Sequence, residues 1–175
     1  MPALSGGSER QLDEPRRLSP GDCMTRIRDR MELPEGFRWL RREDIGTPFK
    51  TLDKSMDQFP LEAYYEWSLD DDALVIVRER SGQLAAIVCA RARQDHLMIE
   101  MVGRNKLLGL PGVGAELVAL LETHIAPKLG IHEVRLEARP GLVPYYDDVL
   151  GYEEYDAEVE DKGWPEKLTP KRKRV

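Results

Sequence analysis

Cysteine and histidine are scarce in this chain, whose 175 residues include two cysteines and three histidines. Cys23 lies in a polar segment and Cys89 in a predicted strand, a distribution that predicts no disulfide framework. The histidines are scattered, and the chain has no Cys/His pair at the close spacing that structural zinc sites use. We therefore expect no metal.

Long apolar runs are also missing. The longest stretches, such as Leu84–Ala90, are far shorter than the roughly 20 apolar residues that a transmembrane helix needs. The first residues do not combine a basic region, an apolar run and a small-residue cleavage site, so a secretion signal is not expected. The sequence predicts a cytoplasmic protein with no membrane partner.

Positive charge is in deficit over the chain as a whole. There are 26 Lys and Arg residues against 32 Asp and Glu, a net charge of −6, which argues against broad binding to nucleic acid. The final run, KRKRV at residues 171–175, is the exception. It predicts either a targeting or nucleic-acid patch or a solvated tail that aids solubility, and we favour the tail.

Composition divides the chain into three parts. Residues 1–32 are rich in Ser, Gly, Pro and charge without a sustained apolar period, which predicts a flexible N-terminal arm. Residues 33–160 contain the periodic segments and are numerous enough for one domain with a full core. Residues 161–175 predict a polar, basic C-terminal tail.

The periodicity of residues 33–160 predicts an α/β domain. Its centre is an antiparallel meander of three strands, in which Ser81 and Gly82 form a two-residue turn. The full predicted order is a strand at 36–41, helices at 49–59 and 61–69, strands at 73–80, 83–93 and 96–103, a helix at 112–128, a strand at 132–138, a short helix at 141–149 and a final strand at 152–159.

The turn at residues 109–114, GLPGVG, joins an apolar strand to an apolar helix. The first amides of a helix have no acceptor within the helix, and the helix dipole favours negative charge there. Such a turn is therefore suited to anions, phosphates above all. The alternative is a structural loop without a ligand.

Several motifs surround this turn at informative spacing. They are the strand end at 99–102, the glycines Gly112 and Gly114, the strand at 134–138, the pair Tyr145 and Tyr146, and Leu150-Gly-Tyr152. Together with the order of elements they resemble the GNAT N-acetyltransferase superfamily over about residues 37–159. The resemblance implies the GNAT fold, a mixed and mostly antiparallel sheet of about six to seven strands flanked by helices.

Three positions depart from the family's pattern. Gly109 occupies the first position of the Arg/Gln-x-x-Gly-x-Gly/Ala signature, and Pro111 stands where Lys, Arg or Gly is usual. One residue is added between Tyr146 and Leu150 relative to the commonest spacing. Loss of the Arg or Gln removes a side chain but leaves the backbone amides of the turn.

The resemblance implies acetyl-CoA as the co-substrate. Amides from Leu110 to Ala115 would bind its pyrophosphate, since glycine lets phosphate oxygens approach the backbone. The end of the third meander strand, Val102–Arg104, would pair with the pantetheine arm. The alternatives for Arg104 are an ordinary surface charge or a contact with a coenzyme A phosphate. The implied contacts are Val102, Gly103, Arg104, Leu110, Gly112, Val113, Gly114, Ala115 and, as a further contact, Arg139.

The resemblance also implies two catalytic groups. Acetyl transfer needs a deprotonated amine and a protonated leaving thiolate. Glu100, a carboxylate in the apolar strand LMIEMV, is the candidate base, although it could face solvent or pair with Arg91. Tyr146 is the candidate acid, with Tyr145 as its rival, and core packing explains either tyrosine nearly as well.

The predicted function is direct acetyl transfer to an unknown primary amine, on a small molecule or a protein. Glycine at 109, in place of Arg or Gln, favours one alternative: a catalytically weak or inactive GNAT-fold module with a coenzyme A-binding or regulatory role. A nucleic-acid or nuclear partner led by KRKRV ranks last. The sequence does not identify the acceptor, and it leaves a homodimer open.

Overall fold

A seven-stranded sheet organises the computed structural model, which describes residues 28–29, 31–51, 60–158 and 166–175. Neighbouring strands are antiparallel, except that β4 and β5 are parallel, and the spatial order is β1-β2-β3-β4-β5-β7-β6. The strands are β1 (Phe37–Trp39), β2 (Ala73–Arg80), β3 (Gln83–Ala92), β4 (Leu97–Arg104), β5 (Glu133–Ala138), β6 (Glu153–Glu154) and β7 (Thr169–Arg174).

Two helices pack on opposite faces of the sheet. Helix α1 spans Leu61–Ser68. The second helix begins as Val113–Leu120, continues through a π-helical turn at Leu121–Ile125 and ends as Ala126–Lys128; we call this continuous helix α2. Short 3-10 turns lie at Arg42–Asp44, Lys106–Leu108 and Pro140–Leu142, and a further π turn spans Tyr145–Val149. The predicted α/β class is confirmed.

The central meander forms as the sequence predicts. Ser81 and Gly82 both have positive φ, 50° and 72°, and a two-residue hairpin turn that matches strand twist needs positive φ at both positions. Strand β3 is buried from residue 84 to residue 90, because helices cover the sheet on both sides. This coverage explains why its apolar run does not alternate with polar residues.

The core therefore has two layers. The α2 face packs Ile76, Val88 and Leu97 against α2, whose residues Leu117 and Leu121 are fully buried. The α1 face has a second cluster that includes Val77, Ile87, Cys89 and Tyr64, and α1 covers it. Among the described residues no helix is long and apolar enough to cross a bilayer.

Strand β7 corrects the prediction of a solvated C-terminal tail. Residues Thr169–Arg174 pair with β5 along its whole length and with β6 on the other side. Lys171 is 2% exposed and binds Asp147 at 2.6 Å, and Lys173 binds Glu122 at 2.8 Å. The basic run belongs to the sheet because carboxylates of neighbouring elements neutralise its buried and half-buried cations.

Smaller differences concern both ends of the domain. Of the predicted final strand at 152–159, the described residues 152–158 form only the two-residue strand β6, since Pro170 of β7 lies opposite Tyr155 and has no N–H to continue the ladder. Met31, placed by the sequence in the flexible arm, is buried in the core of the α2 face. Most of that arm, and most of the predicted helix at 49–59, lie outside the described residues.

Candidate functional site

β4 and β5 stop pairing in the middle of the sheet, and we call the gap between their unpaired ends the cleft. The two strands pair only through Leu97–Ile99 and Val134–Leu136. Beyond Ile99, β4 keeps its pairing with β3 as far as Arg104. The other edge of β4 is thus without a strand partner, within the part of the chain that the structure describes. An unpaired strand edge presents N–H and C=O groups that an amide-bearing ligand can bind.

Glu100 is the residue at which the cleft begins. The β3–β4 register passes from Ala90 opposite Ile99 to Cys89 opposite Met101, so Glu100 is the extra residue of a β-bulge. Its side chain is half-buried. Burial raises the pKa of the Cys89 thiol to about 12, and the nearby charge of Glu100 adds to the increase. Ile99 and Val102 pack in the core of the α2 face and Met101 packs in the α1 cluster, so the bulge leaves Glu100 beside Met101 on the α1 face.

Arg91, the alternative partner that the sequence offered for Glu100, is engaged elsewhere. Its guanidinium binds Asp72 at 2.6 Å and Asp70 at 2.9 Å. These contacts close the far end of the meander, where Arg93 also binds Asp72. Arg91 therefore ties the end of β3 to the turn that precedes β2.

The turn between β4 and α2 is built on positive φ angles. Gly109 has φ 61° and ends the 3-10 turn Lys106–Leu108, and Gly112 has φ 75° and is the N-cap of α2. L-residues with a side chain are strained in this region. The backbone conformation thus accounts for glycine at position 109, where an Arg or Gln would carry that strain.

The first turn of α2 lies beside β4 and has backbone amides without a partner in the helix. Its N-cap, Gly112, has no side chain to cap the helix, and the amides of Val113, Gly114 and Ala115 have no acceptor within the helix. A Cβ built on Gly112 meets no atom within 4 Å, so the space before the helix is open. A Cβ on Gly114 would lie 3.4 Å from Val102, so α2 and β4 approach closely here.

A charged cluster lies beside the first turn of α2. Glu116 accepts hydrogen bonds from Arg78 and Arg80, and these bonds hold its pKa below the usual range although burial opposes them. An open depression of about 340 Å³ adjoins the cluster. Its lining residues are Arg80, Ser81, Gln83, Leu108, Leu110, Pro111 and Val113.

Tyr146 lies on the other side of the cleft, in the π turn that follows β5. The Leu150 amide donates to the Tyr145 carbonyl at 3.2 Å, which widens the turn and takes up the residue added between Tyr146 and Leu150. The Tyr146 ring packs edge-on against Tyr145 and Tyr152. Burial raises the pKa of Tyr146, so its phenol keeps its proton well above neutral pH.

The two tyrosines of the π turn differ in environment. Tyr145 is 38% exposed, whereas Tyr146 is half-buried against the core of the α2 face. The turn is tied to β7 by the ion pair between Asp147 and buried Lys171. Tyr146 is consequently the one held in place by packing on several sides.

The remaining sequence candidates divide between the two sides of the cleft. Val102 and buried Gly103 are on β4, followed by exposed Arg104, and Leu110 is half-buried in the turn. Arg139 directly follows β5, across the cleft from β4, and binds Glu166 at 3.1 Å. The candidates on β4 and in the glycine turn therefore lie together beside the start of α2. Arg139 and Tyr146 lie on the β5 side of the cleft.

Sequence reasoning missed Asn105 and Lys171. Asn105 is 2% exposed and caps the 3-10 turn, since its side chain accepts from the Leu107 amide. An Asn directly after a strand and before a glycine turn is a recognisable cap signal. Lys171 has no such signal, because its role depends on Asp147 far away in the sequence.

No family model matches the chain, and no curated protein matches its sequence. Solved structures do match its fold. The ribosomal-protein-S18-alanine N-acetyltransferase from Escherichia coli is 16% identical with a TM-score of 0.58, covering 79% of this chain and 92% of that one. The GNAT domain of PAT from S. lividans is 14% identical with a TM-score of 0.60, covering 79% and 89%.

A third structure contains a ligand. It is the PaiA N-acetyltransferase from Thermoplasma acidophilum in complex with coenzyme A, 16% identical with a TM-score of 0.55, covering 79% of this chain and 98% of that one. At these identities the likeness establishes the fold and not the activity. The chain has the fold of the GNAT N-acetyltransferase superfamily.

Proposed function

We propose that this protein transfers an acetyl group from acetyl-CoA to a primary amine. One observation carries the proposal: in a GNAT fold, β4 separates from β5 directly beside a helix whose N-cap is an exposed glycine. The cleft supplies strand-like hydrogen-bonding groups, and the helix start supplies amides for phosphate. Coenzyme A needs both, because it carries a pyrophosphate and an amide-containing arm.

Acetyl-CoA is the donor in this proposal, and it brings an activated thioester. The amides of Val113, Gly114 and Ala115 would hold its pyrophosphate, where Gly112 leaves the approach open. The backbone of Val102–Arg104 along the unpaired edge of β4 would hold the pantetheine arm. Arg139, on the far side, is a further contact for the coenzyme.

Glu100 and Tyr146 divide the proton transfers. Glu100 lies at the mouth of the cleft on the α1 face and would remove the proton of the incoming amine, directly or through a water. Tyr146 comes from the β5 side and, because burial raises its pKa, retains a proton to give to the departing sulfur. The acceptor would therefore enter from the α1 face.

Paired measurements of binding and thiol release test this proposal. Calorimetry should detect coenzyme A binding to the wild type at millimolar ligand or below, and acetyl-CoA with an amine panel should release thiol. The panel includes a peptide with an N-terminal alanine, since the E. coli neighbour is named for that acceptor. Absence of coenzyme A binding would overturn the proposal.

Substitutions identify the acid and the base. Glu100→Gln and Tyr146→Phe should each lower kcat about hundredfold, the usual contribution of a positioned proton donor or acceptor. Glu154→Gln, on the exposed outermost strand β6, and Tyr145→Phe are matched variants that should change kcat less than twofold to threefold, as surface changes away from a site do. A larger loss in Tyr145→Phe than in Tyr146→Phe would reverse the assignment.

A second candidate function is coenzyme A binding without turnover. Glycine at 109 favours this candidate, because the Arg or Gln side chain that begins the family signature is missing there. The positive φ of Gly109 disfavours any residue with a side chain at this position. This candidate predicts the same calorimetric binding as the enzyme. It is chosen if wild type releases no thiol with any amine of the panel.

A further inference from the structure

Asn105 joins two segments that are far apart in the sequence. It lies at the end of β4 and begins the turn that leads to α2. Its side-chain amide donates to the carbonyls of Pro48 at 3.1 Å and Leu84 at 2.8 Å. Its side-chain oxygen accepts from the amides of Lys50 and Leu107, both at 3.2 Å.

All four hydrogen-bonding positions of this side chain are used, in a site that is 2% exposed. Helix capping needs only one of them, the bond from Leu107. The other bonds go to β3 and to the segment Pro48–Lys50. Buried polar groups of this kind are costly unless fully satisfied, so the side chain specifies how these parts fit together.

Backbone contacts extend the same junction. The Lys106 amide donates to the Lys50 carbonyl at 2.9 Å. One residue further, Thr51 lies against β4, since a Cβ built on Gly103 would come within 2.7 Å of its methyl group. The segment from Pro48 to Thr51 therefore crosses the end of β4, next to the turn, on the side of Tyr64 and the α1 face.

We infer that Asn105 is a positioning residue that couples the coenzyme turn to the acceptor side of the protein. The inference rests on the proposed function, which assigns the turn to the coenzyme and the α1 face to the acceptor. A ligand that fixes the turn also fixes Asn105, and Asn105 holds the segment Pro48–Lys50 through side-chain bonds. Binding at one part then stabilises the other, and the coupling acts equally in both directions.

Amide hydrogen exchange measures this coupling directly. The Lys50 amide donates to Asn105, and the Lys106 amide donates to the carbonyl of Lys50, so both report on the junction. In the wild type, saturation with coenzyme A should slow exchange of the Lys50 amide about tenfold, within the usual range of coupling between sites. Calorimetry of the same sample establishes that the coenzyme is bound.

Asn105→Ser is the most informative variant. Serine caps a helical turn about as well as asparagine, so the bond from Leu107 is kept, but its side chain is too short to bridge to Pro48 and Lys50. We expect this variant to bind coenzyme A roughly tenfold more weakly and to lose the slowing at Lys50, because the linkage is reciprocal. Asn105→Asp keeps the acceptor for Lys50 but sets a carboxylate oxygen against the carbonyls of Pro48 and Leu84, so it should weaken coenzyme A binding at least as much.

Ile125→Val is the matched control, a buried change in α2 that should destabilise the fold by about 1 kcal/mol without touching the junction. It should keep both coenzyme affinity and the slowing at Lys50. If the wild type binds coenzyme A and the Lys50 amide does not respond, the coupling is absent although the proposed function stands. Retention of the full effect in Asn105→Ser and Asn105→Asp also overturns the inference, whereas failure of the wild type to bind removes both.

Discussion

At the scale of single residues, the two partners of the ion pair between Lys171 and Asp147 are buried to different extents. Lys171 has a side chain 2% exposed, whereas that of Asp147 is 38% exposed. Removing one partner of a buried pair leaves the other charge without compensation, and the cost depends on how far water can reach that charge. The two halves of this pair should therefore respond differently to substitution.

We expect Asp147→Asn to destabilise the protein by about 3 kcal/mol, because the Lys171 ammonium stays buried without its carboxylate. Lys171→Met should cost about 1 kcal/mol, because methionine fills most of the space and water solvates Asp147. Urea unfolding curves of the two variants provide the comparison. A smaller loss for Asp147→Asn than for Lys171→Met would contradict the assignment of the buried charge.

Buried thiol and phenol groups predict how stability depends on alkaline pH. Burial raises the pKa of Cys89 from 9.0 to about 12 and raises those of Tyr64 and Tyr152 above their ordinary 10.0. A raised pKa in the folded state contributes stability that is complete below the pKa of the unfolded chain. The contribution is then lost as the pH rises toward the folded value.

Stability should accordingly be flat up to about pH 9 and fall above it, with each group contributing a slope of at most about 1.4 kcal/mol per pH unit. Urea midpoints measured at intervals between pH 8 and pH 11 provide the test. Cys89→Ala removes the group with the lowest ordinary pKa of the three and should delay the fall by about one pH unit, the interval between the ordinary thiol pKa of 9.0 and the phenol pKa of 10.0. An unchanged profile in that variant would exclude Cys89 as the first group to titrate.

At the scale of elements, substitutions in the glycine turn can distinguish the cost of backbone strain from the loss of a ligand contact. Gly112 and Gly130 both have positive φ, 75° and 66°, and neither would bring a Cβ within 4 Å of another atom. Alanine at either position should therefore cost about 1 kcal/mol of stability for the same conformational reason. Only Gly112 lies at the start of α2, where phosphate would bind.

Gly112→Ala should weaken coenzyme A binding by tenfold or more, since about 1.4 kcal/mol lost at the phosphate contact is a factor of ten. Gly130→Ala should leave the dissociation constant unchanged although it lowers stability equally. Calorimetry and urea unfolding on both variants separate the two effects. Equal binding by the two variants would remove the turn from the coenzyme site.

The sequence predicted those elements whose pattern is local. Strands β2 and β3 follow from apolar runs separated by Ser81-Gly82, and α2 follows from leucines at helical spacing. The region at 141–149 was predicted as one short helix, and the structure has a 3-10 turn and a π turn there. Pro140, Gly141 and Pro144 interrupt regular helix, and the added residue widens the turn that follows.

Strand β7 could not be predicted from its own residues. The sequence TPKRKR has no apolar alternation, and its lysines are accommodated by Asp147 and Glu122 from other elements. Glu122 also accepts from the Tyr152 hydroxyl at 2.8 Å, so a polar network replaces the usual apolar face. Such a strand depends on partners that only the folded structure brings together.

The candidate site was predictable to a similar extent. Glycine spacing indicated the turn, and the chain order placed Glu100 on β4 and Tyr146 in the segment that follows β5. The bulge at Glu100 and the junction at Asn105 were not predictable, because each depends on the register or the contacts of a distant segment. Geometry between elements is the part that local pattern does not encode.

At the scale of the whole molecule, the C-terminal strand is a structural requirement. Its removal would leave β5 without its antiparallel partner and would disconnect β6 from the sheet. Deletion of residues 171–175 should therefore abolish cooperative unfolding or lower the urea midpoint severely, since it exposes the edge of a core strand. A solvated tail would instead be lost without effect.

Circular dichroism and urea unfolding of the truncated chain measure this difference. Arg174→Ala is the control, because it removes an exposed cation and keeps the backbone pairing with Glu133. The control should unfold within about 0.5 kcal/mol of the wild type, as surface substitutions usually do. A truncated chain as stable as this control would show that β7 contributes little.

The separation of β4 from β5 also affects the protein when no ligand is present. Most sheets hide their inner strands and protect only their outer ones against association with other chains. Here the edge of β4 that has no strand partner among the described residues lies in the interior of the sheet, flanked by apolar residues such as Val102. The cleft proposed to admit a ligand is also a place where a strand from another chain could pair with β4. Under the proposed function, a bound coenzyme would cover this edge and thus protect the protein from aggregation.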